Sequence, residues 1–364
     1  MASVQQAKRI ILLTGGGSAG HVTPNLALAQ ALIARGYDVH YAGRTEGIEK
    51  DLIAPTDLPY YGLSAGKFRR YLSLENLTDI ARIAKGSIDA LRVVRRVKPM
   101  LVFSKGGFVS CPVVWAAWLN RIPAVVHESD VSPGLANKLS VPFASRICYA
   151  FPETGKYFAV SKRVHTGIPV RPSLLNGNVE QGRRICSFND AAKPTLLIMG
   201  GSLGSHLIND TVQAALPELL PHFNVCHLLG SNPDTISANT LPGYFTLAYA
   251  GEELAHLLAL ADLVLSRAGA TTLFELLAIR KPHLLIPLSL RASRGDQLQN
   301  ASCFERLGYS DMLPEEALSP ATLCIALHAT YAKRQQFVKQ MAEAPIANAT
   351  DRVVETIESC LPGS

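Results

Sequence analysis

The chain has no two cysteines spaced as a metal knuckle or a redox pair would need. Its seven cysteines, at 111, 148, 186, 226, 303, 324 and 360, are scattered singly along 364 residues. That pattern excludes a disulfide scaffold or a zinc ribbon and reads as reduced core thiols. No Asp-x-Asp pair occurs, so a carboxylate-held metal on a diphosphate is not indicated, and no metal site is expected. No apolar run reaches the roughly 20 residues that span a bilayer. The longest candidate, Val109 to Leu119, is too short and contains Pro112. The apolar stretch after the basic start is only Ile10 to Leu13, which does not make a signal peptide. A cytoplasmic protein is therefore expected, with a peripheral place on a membrane left open. Charge is sparse too: 18% charged against 48% hydrophobic residues excludes disorder and fits an ordinary folded chain.

A chain of 364 residues is too long for one typical core and points to two domains. The net charge of +6 is unevenly spread: residues 1–170 carry +10 and residues 171–364 carry −4. A basic front half suits a phosphorylated substrate, an anionic lipid surface or nucleic acid. No helix-turn-helix, RNP or zinc-finger signature supports the last, and no nucleic-acid partner is expected.

Short β-type runs alternate with helical stretches. Ile10–Thr14, Tyr37–Ala42, Met100–Phe103, Ala124–His127 and Ile147–Ala150 read as buried parallel strands. Pro24–Arg35, Leu77–Val97 and Pro112–Leu119 between them read as helices. The pattern restarts with strands Thr195–Met199, Val225–Leu229, Thr246–Tyr249, Leu263–Ser266 and His283–Ile286 and a helix from His206 to Leu220. This alternation implies an α/β fold of two doubly wound parallel sheets. Between the halves, Val170 to Lys193 reads as polar and irregular.

Each half opens with a strand, a glycine-rich turn and a helix. The first turn is Thr14-Gly15-Gly16-Gly17-Ser18-Ala19-Gly20-His21. Glycine permits a tight turn, lets backbone N–H groups approach an anion, and delivers the positive end of a helix dipole. The plain alternative is a turn needing only a positive φ. Gly15, Gly17 and Gly20 also fit G-x-G-x-x-G, but the second strand ends in Tyr41-Ala42-Gly43-Arg44 without the acid a dinucleotide ribose needs, so the match is weak.

Seven blocks in register carry a resemblance. They are Gly15–Pro24; Ser104-Lys105-Gly106-Gly107-Phe108-Val109-Ser110-Cys111-Pro112; His127-Glu128-Ser129-Asp130 with Pro133–Lys138; Thr166–Arg171; Gly200-Gly201-Ser202-Leu203-Gly204; Ser266–Glu275; and Gly295–Ala301. Together they resemble the MurG family of GT-B glycosyltransferases. The resemblance implies two Rossmann-like domains facing a cleft: residues 1–169 for the acceptor and the membrane, residues 170–342 for the donor, and residues 343–364 packing back on the first domain. The implied reaction moves N-acetylglucosamine, with inversion, from UDP-GlcNAc to the C4 hydroxyl of N-acetylmuramic acid in lipid I. No cofactor is implied. The implied partners are lipid I, an anionic membrane surface on its cytoplasmic face and cell-wall assembly proteins. Asp130 and Asp296 depart from the family pattern, which more often has Asn and Gln there.

On the donor side the resemblance implies diphosphate contacts from Arg171 and Ser202 and a uracil contact from the backbone of Ala250. Ala270, Thr271, Thr272 and Leu273 form a helix start whose amides suit a diphosphate, and Glu275 accepts from both ribose hydroxyls. Read alone, Glu275 is first a dipole-favoured helix carboxylate, and only the resemblance turns it toward the ribose. Gln297 resembles the family's glutamine that reads the GlcNAc hydroxyls, a role an amide that donates and accepts can fill, with Asn300 behind it; read alone it is a polar residue at a helix start. Ser18, Ala19 and Gly20 complete the donor set. Ser18 also joins Gly106, Gly107, Phe108, Asp130 and Asn137 on the acceptor side. His21 is the first choice for the base, since an imidazole titrates near neutrality; its other reading is a diphosphate donor. Glu128, after a strand's carboxyl end, is the second choice. His127 reads as structural, and Lys105 as a phosphate contact or a solvated loop charge. Lys67–Leu72, then Leu74, Leu77, Ile80 and Ile83 with Arg82 and Lys85, and Trp115 and Trp118, read as an interfacial patch or as amphipathic core packing. The rival functions are a UDP-sugar 2-epimerase and a non-catalytic nucleotide-sugar binder.

Overall fold

The computed structural model describes residues 9–64, 75–201, 204–230, 241–345 and 348–361, with the backbone alone for 75–84. The chain divides into two compact units, Met1–Val170 with Asn348–Ser364, and Arg171–Ala347. The first holds strands β1 (Ile10–Thr14), β2 (Asp38–Arg44), β3 (Tyr60–Leu63), β4 (Leu101–Ser104), β5 (Ala124–Glu128), β6 (Arg146–Tyr149) and β7 (Arg163–His165). Its helices are α1 (Ala19–Ala34), α2 (Ile48–Ile53), α3 (Glu75–Val97), α4 (Ser110–Leu119) and α5 (Leu135–Ser140). The second holds β8 (Thr195–Met199), β9 (Asn224–Leu228), β10 (Tyr244–Leu247), β11 (Leu263–Ser266), β12 (His283–Leu285) and β13 (Asp311–Met312). Its helices are α6 (Val179–Cys186), α7 (His206–Leu219), α8 (Glu253–Leu260), α9 (Ala270–Ala278), α10 (Asp296–Arg306), α11 (Pro320–Ala332) and α12 (Arg334–Ala342). The last helix, α13 (Ala349–Glu358), belongs to the first unit.

Both sheets are parallel throughout, in the orders β3-β2-β1-β4-β5-β6-β7 and β10-β9-β8-β11-β12-β13. These are two Rossmann-like sheets of the GT-B class. Parallel strands are covered on both faces, which is why their residues are apolar without alternation. Ile11 and Leu13 point into one core with Leu28, Leu32, Val353 and Ile357, whereas Leu12 points into the other with Val102, Val113 and Val126. Each such buried aliphatic contributes about 1.5–3 kcal/mol. The α13 side chains thus complete the core over α1, and Arg35 adds ion pairs to Asp351 at 3.1 Å and Glu358 at 2.9 Å. In each sheet the order reverses between its first strand and the strand beside it, β1 against β4 and β8 against β11. In open parallel sheets the carboxyl ends at such a reversal are where ligands bind.

Four local expectations need correction. α1 begins at Ala19, more than a turn before Pro24, because the helix takes up the end of the glycine loop and forgoes one backbone bond at the proline. The stretch 170–193 is not irregular: it holds a 3-10 turn at Pro172–Asn176 and helix α6, capped by Asn178 Oδ1 accepting from Gln181 N–H at 2.9 Å. Gly182, a loop signal in the sequence, is there for close packing, since a Cβ would collide with the His256 carbonyl. The edge strands β3, β7 and β13 were not expected; Tyr-Tyr-Gly-Leu, Arg-Val-His and Asp-Met carry no continuous aliphatic run. Residues 67–72, Leu74, Ser202 and Leu203 lie outside the described residues, as do the side chains of Leu77, Ile80, Arg82 and Ile83.

Candidate functional site

In the first unit, β1 ends at Thr14 and the chain turns through Gly15 to Ser18 into α1. Gly17 has φ 87°, in the left-handed region. Its N–H donates to Glu49 Oε2 at 3.3 Å. Glu49, wholly buried on α2, also accepts from the N–H and Nε of Arg44 at 3.1 and 2.9 Å. Burial alone would raise its pKa, but the donors from Arg44 and Gly17 outweigh it and hold the carboxyl below its ordinary range. His21, half-buried, has Nδ1 3.1 Å from both the Gly16 carbonyl and Ser18 Oγ. A carbonyl only accepts, so this contact puts the proton on Nδ1 and leaves Nε2 as the basic nitrogen. Ser18 is exposed and Ala19 and Gly20 are half-buried beside it.

The β4 loop runs alongside. Lys105 N–H donates to the Thr14 carbonyl at 2.9 Å, and a Cβ on Gly107 would collide with the Gly16 carbonyl. Gly106 and Gly107 have φ 101° and 86°, Gly106 faces the Asn137 amide, and Phe108 is exposed. Lys105 is not a solvated charge. It is 1% exposed, its Nζ donates to Ser129 Oγ, and desolvation brings its pKa down to about 8 against the pull of Glu128 and Asp130.

After β5, Glu128 is 3% exposed. Its Oε1 accepts from Asp130 N–H at 2.9 Å, and its Oε2 from Gly134 N–H at 3.1 Å and Asn137 Nδ2 at 2.8 Å. Burial and the nearby Asp130 push its pKa up. Asn137 also donates to the His127 carbonyl at 3.1 Å. Glu128 therefore fixes the turn from Asp130 to Asn137 and keeps little surface for taking a proton from a bound hydroxyl. His127 is buried, its Nε2 lies 2.7 Å from the Gly167 carbonyl, and burial beside Lys105 holds it well below the usual imidazole range. Asp130 is half-buried, its carbonyl held by Thr154 Oγ1 at 3.1 Å.

In the second unit, Gly201 and Gly204 after β8 have φ 97° and 79°. Past β11, Gly269 leads into α9, whose first turn is Ala270, Thr271, Thr272 and Leu273, the positive end of the helix dipole. Glu275 follows one turn on, mostly buried, with Oε1 2.8 Å from Arg171 Nε. The residues assigned to ribose and diphosphate are thus joined to each other. Gln297, in the first turn of α10, accepts from Leu288 N–H through Oε1 at 3.1 Å, which orients its carboxamide. Asn300 is buried and donates to the Ala268 carbonyl at 3.3 Å, tying α10 to the turn before α9. Ala250 is buried, and Asp296 faces Arg294 at 3.6 Å.

The sequence reading missed two charged staples. Arg267 bonds the Ile286 carbonyl at 3.1 Å, Ser205 Oγ at 2.8 Å and Glu315 at 2.6 Å, gathering three carboxyl-end loops. Its partner Glu315 also accepts from Ser289 N–H at 3.0 Å. The other staple is Arg44–Glu49. Neither acid sits in a recognisable spacing; only Arg267 lay inside a motif.

With this geometry in place, comparison with known proteins gives a consistent match. Residues 11–149 match the glycosyltransferase family 28 N-terminal domain and residues 195–357 its C-terminal domain. A Clostridium novyi (strain NT) protein, named UDP-N-acetylglucosamine--N-acetylmuramyl-(pentapeptide) pyrophosphoryl-undecaprenol N-acetylglucosamine transferase, is 46% identical over 352 residues, covering 97% of this chain and 99% of its own. A Geobacillus kaustophilus (strain HTA426) protein of the same name is 48% identical over 352 residues, covering 96% and 98%. The crystal structure of Acinetobacter baumannii MurG superposes with a TM-score of 0.73 at 27% identity, covering 96% of this chain and 99% of that one.

Proposed function

The chain belongs to glycosyltransferase family 28, and from that premise we propose that it is an inverting N-acetylglucosaminyltransferase of peptidoglycan synthesis. It moves GlcNAc from UDP-GlcNAc to the C4 hydroxyl of MurNAc in undecaprenyl-diphospho-MurNAc-pentapeptide, turning lipid I into lipid II. The observation that carries this reading is near-full-length likeness, at 46–48% identity, to proteins named for that transfer.

The donor lies on the second unit. Glu275 accepts from the ribose hydroxyls, the first turn of α9 and Arg171 face the diphosphate, and Gln297 meets the GlcNAc hydroxyls. Ser202 is a further diphosphate contact, and Ala250 meets uracil through its backbone. The acceptor lies on the first unit, against Gly106, Gly107, Phe108, Asp130 and Asn137. His21 Nε2 takes the proton of the C4 hydroxyl as its oxygen attacks the anomeric carbon from the face opposite the diphosphate. The bond from that carbon to the β-phosphate oxygen breaks, UDP leaves with the electron pair, and the α-linkage becomes β. The dipole of α9 and Arg171 stabilise the departing charge. Glu128 stands behind His21 as a base because three N–H groups already occupy its carboxylate.

No described helix is long and apolar enough to cross a membrane. The lipid acceptor is instead met by peripheral docking on the anionic cytoplasmic face. Trp118 and Leu119, at the end of α4, are 54% and 63% exposed, and Arg121 beside them is exposed as well. Trp118 and Phe143 pack edge to face, their ring centroids 5.1 Å apart. An exposed indole and leucine near cations, on the more basic half of the chain, suit the headgroup boundary.

The test is transfer of radiolabelled GlcNAc from UDP-GlcNAc to a lipid I analogue. A β-linked lipid product supports the reading. Epimerisation of the sugar at C2, or UDP binding without turnover, overturns it in favour of an epimerase or a binder.

A further inference from the structure

We infer that Glu49 is a positioning residue for the transfer: its carboxylate occupies the first glycine loop as an internal anion and sets the segment that carries Ser18 and His21. The inference rests on the reading of His21 as the base.

The observations form one chain of contacts. Glu49 is wholly buried, and its carboxylate accepts from the N–H and Nε of Arg44 and from the N–H of Gly17. A Cβ on Gly16 would stand 2.5 Å from Glu49 Oε1, so the loop backbone lies directly on the carboxylate. The carbonyl of that same Gly16 holds His21 Nδ1 at 3.1 Å. The Arg44 end is itself fixed, since Tyr60 OH donates to the Arg44 carbonyl at 2.5 Å. A glycine-rich turn after the first strand of a parallel sheet ordinarily offers its amides to a phosphate. Here the Gly17 amide already faces a carboxylate, and a diphosphate brought to it would meet a like charge. The Gly17 amide is thus taken up inside the fold, and the turn it anchors carries His21. The glycine at 16 is needed because any side chain would displace the carboxylate that shapes the turn.

The experiment compares full-length wild type, Glu49→Gln and Arg44→Gln with UDP-GlcNAc and a lipid I analogue, alongside UDP binding by calorimetry and thermal melting. Glu49→Gln keeps the volume but turns an amide N–H₂ or a neutral oxygen toward Arg44. The expected result is a kcat about ten- to a hundred-fold lower, the size of effect that a displaced catalytic group produces. KM for UDP-GlcNAc and Kd for UDP stay within about two-fold, because the proposed ribose, uracil and diphosphate contacts Glu275, Ala250 and Arg171 belong to the second unit and Glu49 to the first. Arg44→Gln, which leaves the Gly17 bond intact, loses less. A purely structural staple would lower the melting temperature and leave the kcat of the folded enzyme within about two-fold of wild type, and that result overturns the inference. Should Glu49→Gln fail to fold, the same criterion is read from Arg44→Gln. An inactive wild type would fail the transferase reading itself and take the inference with it, an outcome distinct from an active wild type indifferent to Glu49.

Discussion

Arg171 and Glu275 stand 104 residues apart in sequence and 2.8 Å apart in space, Nε against Oε1, with most of both side chains covered. The pair fastens the first residue of the second unit to the helix whose amino end is proposed to receive the donor. The contact fixes the orientation of both side chains. Removing one leaves the other partly desolvated and unbalanced. Glu275→Gln should weaken UDP binding at least about ten-fold, or 1.4 kcal/mol. It should also erase the preference for UDP over 2′-deoxy-UDP. A double-mutant cycle with Arg171→Met should show a coupling of about 0.5–3 kcal/mol. Calorimetric UDP affinities unchanged in both single variants would remove these residues from the donor site.

The two glycine loops of the first unit differ in what they tolerate. Gly17 has a positive φ but open space around its Cβ position, whereas Gly107 has a positive φ and the Gly16 carbonyl in the way. Gly17→Ala should cost about 1–2 kcal/mol, the strain of a left-handed residue alone. Gly107→Ala should cost more and abolish acceptor turnover, because backbone cannot step aside as a side chain can. Urea unfolding of the two variants checks the order; equal costs would mean that the loops do not pack as described.

Acid should weaken the second unit before its carboxylates titrate. His227 and His283 are buried, and desolvation lowers both to about 4. The unfolded chain, with ordinary imidazoles near 6.5, binds protons that the fold refuses. Their contribution is complete above that value and is lost as pH falls toward 4, at about 1.4 kcal/mol per pH unit for each imidazole. Stability measured in urea should thus decline from pH 6.5 to 4.5, and His227→Gln should flatten part of the slope. A stability independent of pH across that window would contradict the burial of these rings.

Docking should depend on the tip of α4. Trp118→Ser with Leu119→Ser should release the protein from vesicles of anionic phospholipid in a sedimentation assay, and raised salt should do the same. Turnover of a water-soluble acceptor analogue should be unaffected. Equal sedimentation of variant and wild type would place the membrane contact elsewhere.

Much of the scaffold was legible because buried parallel strands write themselves as short apolar runs ended by glycine. β1, β8 and β11 match their sequence-based bounds to the residue. The edge strand β7, Arg163–His165, has no such run, and Gly182 disguised α6 as loop. The candidate site was legible where chemistry sits in a turn: the glycines, His21 and the α9 start. It was not legible where a side chain finds its partner across the fold. Nothing near Glu49 in sequence announces that it lies under Gly16, or that Lys105 is roofed over by the β5 loop rather than bathed in water. Such contacts follow from strand order, which places β1 beside β2 and β4, and strand order is not written in local pattern.

The most direct test is the steady-state kinetics of His21→Asn, read as kcat at saturating UDP-GlcNAc and lipid I analogue together with Kd for UDP. The account predicts a kcat lower by about 10²–10⁴-fold, the usual worth of a general base, with UDP affinity unchanged. An unaltered kcat, or a loss that appears only as weaker UDP binding, would contradict the assignment of proton transfer to His21.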